Sequence, residues 1–386
     1  MDGSDESAGA PTAADVSSVF DVYEIRRDGG TVLYVGEPAV QEPELERKLW
    51  PLFREHGYEV SLQRGYRSGD GVPLSRGEFV LVARPRSSGS EGIPRLNLIL
   101  FFLTIMSTLF AGSVFWYQIP VTQEPWRMWE AWPFVVAILG VLGVHELGHY
   151  AMSRYHDVEA SLPYFIPVPT VIGSLGAVIK IEGRIPDRKA LFDIGVAGPL
   201  AGLVATVVVT AIGLQLDPLA VQDPATAAGD EPIVIFNHPP LLELIAELTG
   251  TADKLEDGVV HPVVFGGWVG MLVTLLNMLP VGQLDGGHII RAIFGAYQRV
   301  IAVTVPVALF WLSVYVYLVA GFQSMTIWII WGLFATGLAY AGPVEPINDE
   351  RLDRKRVILG LLTFVLAALC FTPVPMEIVE AAEMSA

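Results

Sequence analysis

The stretch GVHELGHY, residues 143–150, places His145 and His149 four apart, with Glu146 directly after the first. Residues four apart return to nearly the same face of an α-helix, so the two imidazoles can bind one ion together. Glu146 falls on the flank, too far round to share the coordination easily and near enough to reach a water on the ion. Two neutral imidazoles for zinc and one carboxylate to take a proton are the physical content of H-E-x-x-H. Gly148 leaves space beside the ligands for a peptide or another helix. The pattern also arises by chance in soluble helices, but here it follows the apolar run WPFVVAILGVLG. A carboxylate in such a run is costly without a partner, so the triplet implies a use.

A catalytic zinc takes three protein ligands and keeps a fourth position for water. Asp285 is the third candidate: it lies near the inner end of a later apolar run and is followed by Gly286 and Gly287. A cap in the DGG turn is the alternative reading of Asp285. His288 is an alternative ligand, closer to the solvent edge. His156, His238 and His261 read as loop or interface histidines. Asp193 reads as a carboxylate at a helix N-terminus, not as a ligand. The donor types favour zinc, although the same set accepts other divalent ions.

The elements that must position these residues are membrane spans. Hydrophobic residues make up 52% of the 386-residue chain and charged residues 17%, with mean hydropathy +0.49, too apolar for an ordinary soluble protein. Apolar runs long enough to cross the bilayer lie near 96–116, 133–155, 191–214, 260–282, 300–322, 325–342 and 357–374, about seven spans, of which the sixth is short. The fold class is therefore a polytopic α-helical membrane protein. Lys180, Arg184, Arg188, Lys189, Arg291, Arg299, Arg351, Arg354, Lys355 and Arg356 fall in loops on one side, and only Arg127 and Lys254 on the other. By the positive-inside rule the N-terminal segment is cytoplasmic and the C-terminus outside. The second and fourth spans then both run inward and bring their polar clusters to a similar depth. His145 is about 15 Å from the inner end of its span.

Residues 1–17 read as an acidic, disordered tail without a signal peptide. Residues 18–87 read as a small α+β domain: a hairpin of VFDVYEI and TVLYVGE, a helix EPELERKLWPLFREHG, then strands YEVSLQRGY and GEFVLVARP. Residues 88–95 are a polar linker, 96–374 the membrane domain with its core at about 133–290, and 375–386 a tail. The outer loop, about 215–259, is acidic and contains PPLLELIAEL, suited to the membrane interface. The net charge of −17 argues against a nucleic-acid partner and fits a protein living in high salt. The one cysteine, Cys370, excludes an internal disulfide and a Cys-rich metal site. Gly195, Gly198 and Gly202 in GVAGPLAGL read as a small-residue helix-packing stripe.

HELGH on one span and NMLPVGQLDGG on a later one resemble the site-2 protease family of intramembrane zinc metalloproteases, whose pattern is H-E-x-x-H plus N-x-x-P-x-x-x-L-D-G. Asn277, Pro280, Leu284, Asp285 and Gly286 match the second part. GSLGAVIKIEGRIPDRKALFDIGVAGPLAG and GGWVGMLVTLLNMLPVGQLDGG look closer still to the branch that includes chloroplast members. The likeness covers roughly 133–290. It implies a Zn2+ cofactor on His145, His149 and Asp285, Glu146 as general base, and cleavage of a peptide bond in or near a transmembrane helix within the bilayer, in regulated intramembrane proteolysis. Asn277 is the candidate donor to the oxyanion, or else a helix-packing hydrogen bond. The family's PDZ and CBS additions are not seen.

A helical substrate must unwind to be cut. VIGSLGAVIKIEG, residues 171–183, is β-branched, alternating and glycine-punctuated, and reads as a re-entrant hairpin whose edge pairs with an extended substrate, or which plugs the cavity. Gly173, Ser174 and Gly176, together with Asn277 and Pro280, are the candidate substrate-binding residues, the glycines permitting close backbone approach. Two other classes compete: a quality-control metalloprotease of the zincin type, and a non-enzyme, either a silent membrane-protein binder or a divalent metal transporter. NMLPVGQLDGG weighs against the first. Intact Glu146 and the clustering of polar residues at one depth weigh against the second.

Overall fold

The computed structural model describes residues 9–67, 73–86, 94–181, 183–219, 233–256 and 260–379. They fall into two compact units that divide at Ile93/Pro94.

The first unit is a four-stranded antiparallel sheet, order β1-β2-β4-β3, built from β1 (Phe20–Asp28), β2 (Thr31–Pro38), β3 (Tyr58–Arg67) and β4 (Pro73–Pro85). Helix α1 (Ala13–Val16) precedes β1 and α2 (Glu42–Glu55) separates β2 from β3. Leu45, Leu49 and Phe53, four apart on α2, bury one stripe against Tyr34, Val60 and Leu81 of the sheet. Residues 9–17 differ from the expected tail, because Val16 is fully buried in this core and holds a helical turn. The rest of that tail, 1–8, lies outside the described residues, as do 88–93 of the expected linker.

The second unit is mostly helical: α3 (Arg95–Ala111), α4 (Trp132–Tyr155), α5 (Arg188–Gln215), α6 (Pro240–Thr249), α7 (Ala252–Glu256), α8 (Val263–Asn277), α9 (Asp285–Phe294), α10 (Gln298–Ala341) and α11 (Arg354–Ala368). Between α4 and α5 runs the hairpin β5 (Tyr164–Pro167)/β6 (Ser174–Val178). Many side chains are exposed although apolar, among them Trp311, Leu318, Val204 and Leu362. Such a surface suits hydrocarbon rather than water.

Among the described residues, five stretches are long and apolar enough to cross a membrane: Arg95–Trp116, Pro125–Tyr155, Arg188–Gln215, Asp285–Phe322 and Ser324–Ala341. Seven were expected. The fourth expected run stops as helix α8 after 15 residues at Asn277, and the seventh forms α11, also 15 residues. Each of these is only about 22 Å long. Pro280 and Gly282 (φ +55°) end the fourth run as a helix and turn the chain, so Asp285 opens a new helix rather than closing the old one. The fifth and sixth expected spans are the two halves of α10, which breaks at Gly321 (φ 80°, ψ −176°).

The C-terminal tail also differs. Met376–Val379 form β8, paired antiparallel with β7 (Ile233–Phe236). The apolar piece of the outer loop is α6, with Leu241, Leu242, Ile245 and Ala246 buried in the main helical core.

Candidate metal centre

α4 carries His145, Glu146 and His149, all buried, in its second half. α5 packs across them. A Cβ on Gly148 would come within 2.6 Å of the Ala197 carbonyl oxygen, so the room that glycine leaves is filled by helix α5. A Cβ on Gly198 would lie 2.0 Å from His149 Nε2, and one on Gly202 would lie 2.8 Å from His145 Nδ1. The stripe of small residues that reads as helix packing is therefore the pocket for both imidazoles.

The rings are oriented from behind. His149 Nδ1–H donates to the Ile194 carbonyl of α5 at 2.8 Å, which leaves the Nε2 lone pair of the neutral ring facing inward. His149 Nε2 lies 3.2 Å from His145 Nε2. From the other side comes Asp285, first residue of α9. Its Oδ2 lies 3.2 Å from His145 Nε2 and its Oδ1 3.2 Å from His149 Nε2. Close backbone contact allows this: a Cβ on Gly286 would meet the Met278 carbonyl oxygen at 2.1 Å, so only glycine lets the start of α9 seat against the 278–282 turn.

These donors fit a metal ion. Among the described residues, His145, His149 and Asp285 form the group whose ligand atoms all lie within 4.8 Å of one another. The 3.2 Å between the two imidazole nitrogens, and between each of them and its own Asp285 oxygen, is close to the roughly 3.3 Å expected between two ligands of one tetrahedral ion with bonds of about 2.0 Å. Asp285 Oδ2 is buried and has no hydrogen-bond partner among the described residues, an acceptor waiting for a cation. His288 lies one turn along α9, gives Nδ1–H to the Leu284 carbonyl at 3.0 Å, and is outside the triad.

Glu146 lies beside the triad, its Oε2 accepting the Ile179 N–H at 3.0 Å. Asn277, the last residue of α8, places Nδ2 3.3 Å from His145 Nε2. A cavity of about 550 Å³ opens over these groups, and residues 177–181 form one wall. Along this segment Lys180 bonds back toward Ser161, whereas the Ile179 N–H points the other way, to Glu146.

Gly173, Ser174, Gly176 and Pro280 do not line the cavity. The close approach that Gly173 (φ +81°) permits is to α3: a Cβ there would lie 2.4 Å from Thr108 Cα, and its carbonyl accepts from Ser107 Oγ at 2.6 Å. Ser174 Oγ bonds within the hairpin, to Ile166 O at 3.2 Å. The cavity-facing part lies further along, at 177–181. Asp193 stands apart from the triad and pairs with Arg356 (2.7 Å) and His156 (2.9 Å).

Comparison with known proteins gives the same region. The pattern of peptidase family M50 matches residues 133–321. This chain carries a peptidase family M50 domain. The domain spans α4 to the break in α10 and so contains all three triad residues and Glu146. The chain is 36% identical over 308 residues to "Probable zinc metalloprotease EGY1, chloroplastic" of Arabidopsis thaliana, covering 74% of this chain and 54% of that protein. It is 32% identical over 241 residues to the Arabidopsis EGY2 protein of the same description (61% and 40%). It is 29% identical over 384 residues to the EGY3 protein of Oryza sativa subsp. japonica (92% and 62%). The chain spans about half the length of the first of these relatives.

Proposed function

We propose that the chain is an intramembrane zinc endopeptidase that hydrolyses a peptide bond of a membrane-spanning protein substrate. The observation that carries this reading is the convergence of His145, His149 and Asp285 on one point beside Glu146, inside an apolar helical unit that carries the M50 domain. The names of the relatives point the same way.

Zinc held by His145, His149 and Asp285 would supply Lewis acidity, lowering the pKa of water and polarising a carbonyl. Glu146 takes the proton from water and returns it to the leaving amine. The Asn277 amide donates to the carbonyl oxygen as negative charge develops on it. The 177–181 edge holds the substrate extended by backbone pairing. Pairing supplies the hydrogen bonds the substrate loses on unwinding, which lipid does not.

The membrane arrangement belongs to the same proposal. The spans are α3, α4, α5, α8, both halves of α10, and α11, with the N-terminal unit cytoplasmic and the site in the cytoplasmic half of a cell membrane. The positive loops support that orientation. The hairpin re-enters the bilayer. Its turn rests on Ser107, about 18 Å along α3 from Arg95, and the Val171 carbonyl accepts from Trp116 Nε1 at 2.9 Å.

The test is cleavage of a single-span substrate by purified protein in proteoliposomes, with the products mapped by mass. A cut within or at the edge of the span supports the reading. Cleavage confined to soluble loops would contradict it.

A further inference from the structure

The segment joining α10 to α11 returns to the mouth of the catalytic cavity. Val344 and Glu345 line it, as does Ile185 opposite. The Ile347 N–H donates to the Ile185 carbonyl at 3.0 Å and the Asn348 N–H to the Pro186 carbonyl at 2.9 Å. Asn348 is bridged in parallel to Asp187. Residues 344–349 thus lie as an extended strap along 185–187.

Charge holds the strap as well. Arg291 of α9, 6% exposed, donates to the Glu345 carboxylate and, at 2.9 Å, to Asp349 Oδ1. Arg188 of α5, 10% exposed, reaches the same Asp349 oxygen at 2.6 Å. The two carboxylates are about half exposed, 51% and 48%. The arginines are therefore fixed parts of the helical body, and the acids are the exchangeable members. A buried guanidinium left without an anion is strongly unfavourable, so whatever replaces the strap must be acidic. Its backbone must also be extended, to take up the carbonyls of Ile185 and Pro186.

We propose that Arg188, Arg291 and the 185–187 backbone form a docking site for an acidic, extended segment flanking the substrate's span, and that the chain's own 344–349 strap fills this site until such a segment displaces it. The proposal rests on the peptidase reading for the identity of the occupant. Anchoring in the same membrane gives the substrate segment the high effective concentration it needs to compete with a tethered strap.

The test uses the full chain in lipid nanodiscs with Cys370→Ala and Ala177→Cys, so that maleimide labelling reports access to the cavity wall and needs no cleavage. Relative to that background, Glu345→Gln with Asp349→Asn raises the labelling rate roughly five-fold or more. Ile347→Pro, which removes a strap N–H without touching charge, raises it too. A free peptide of sequence VEPIND slows labelling of the Gln/Asn variant again, and the uncharged VQPINN does not. Unchanged labelling in both variants, each melting near the parent, would overturn the strap. Equal protection by the two peptides would overturn the acidic docking site. A protein that gates labelling as described yet cuts no substrate would refute the peptidase reading and leave the strap standing.

Discussion

Gly198 of α5 faces His149 of α4 so closely that a Cβ on the glycine would sit 2.0 Å from Nε2, the atom aimed at the metal position. Gly202 has the same relation to His145, one turn further along, at 2.8 Å from Nδ1. Helix α5 is thus the back wall of the metal centre. Gly198→Ala must push the His149 ring aside, at a strain of about 1–3 kcal/mol. The expected outcome is a folded protein with sharply reduced bound metal by elemental analysis. Metal content equal to wild type would show that the ring position does not depend on α5.

Asp193 and Asp285 are both carboxylates on buried helices, with different partners. Asp193 accepts from Arg356 Nε and Nη2 at 2.7 and 2.8 Å and lies 2.9 Å from His156 Nε2. Asp193→Asn should lower thermal stability by about 1–3 kcal/mol and leave metal content unchanged. Asp285→Asn should do the reverse and lose the metal. Parallel melting curves and metal analysis of the two variants check the assignment.

Asp349 sits between Arg188 and Arg291, and the hydrogen bond from Arg188 is the first cause holding its carboxyl below the ordinary carboxylate range. A group depressed in this way stabilises the fold above its unfolded pKa of about 3.9, and that stabilisation is lost as pH falls through the lower folded value. Melting temperature in the wild type should therefore drop on acidification below about pH 4. Asp349→Asn should start lower and show a shallower drop, measured by thermal unfolding across a pH series.

How far the sequence reveals this molecule depends on the range of each signal. The spacing of His145, Glu146 and His149 is local to one helix, so its geometry can be read directly. Asp285 can be named from the LDGG resemblance, but its place at the start of α9 is hidden, because the apolar run continues through the turn at Pro280 and Gly282. Gly198 and Gly202 announce close packing, yet nothing in their spacing says that imidazoles are what they accommodate. Gly173 announces close approach in the same way, and its neighbour is Thr108 on α3. The strap is the least legible. Glu345 and Asp349 look like loop charges, and their partners are far away in the chain: Arg188 lies 161 residues before Asp349, and Arg291 lies 54 and 58 residues before Glu345 and Asp349. Short elements such as Val16 in α1 and Met376–Val379 in β8 gain their order only from tertiary contacts.

In the proposed mechanism Glu146 moves protons while His145, His149 and Asp285 hold the metal. The most direct test is metal analysis of wild type and Glu146→Gln, paired with cleavage of a single-span substrate by each. The expected result is about one zinc per chain in both proteins, and cleavage in the wild type that falls by about 10²-fold or more, on the order of a general base's contribution, in the variant. Wild-type protein without bound metal after zinc-replete preparation, or a Glu146→Gln variant that cleaves at the wild-type rate, would contradict it.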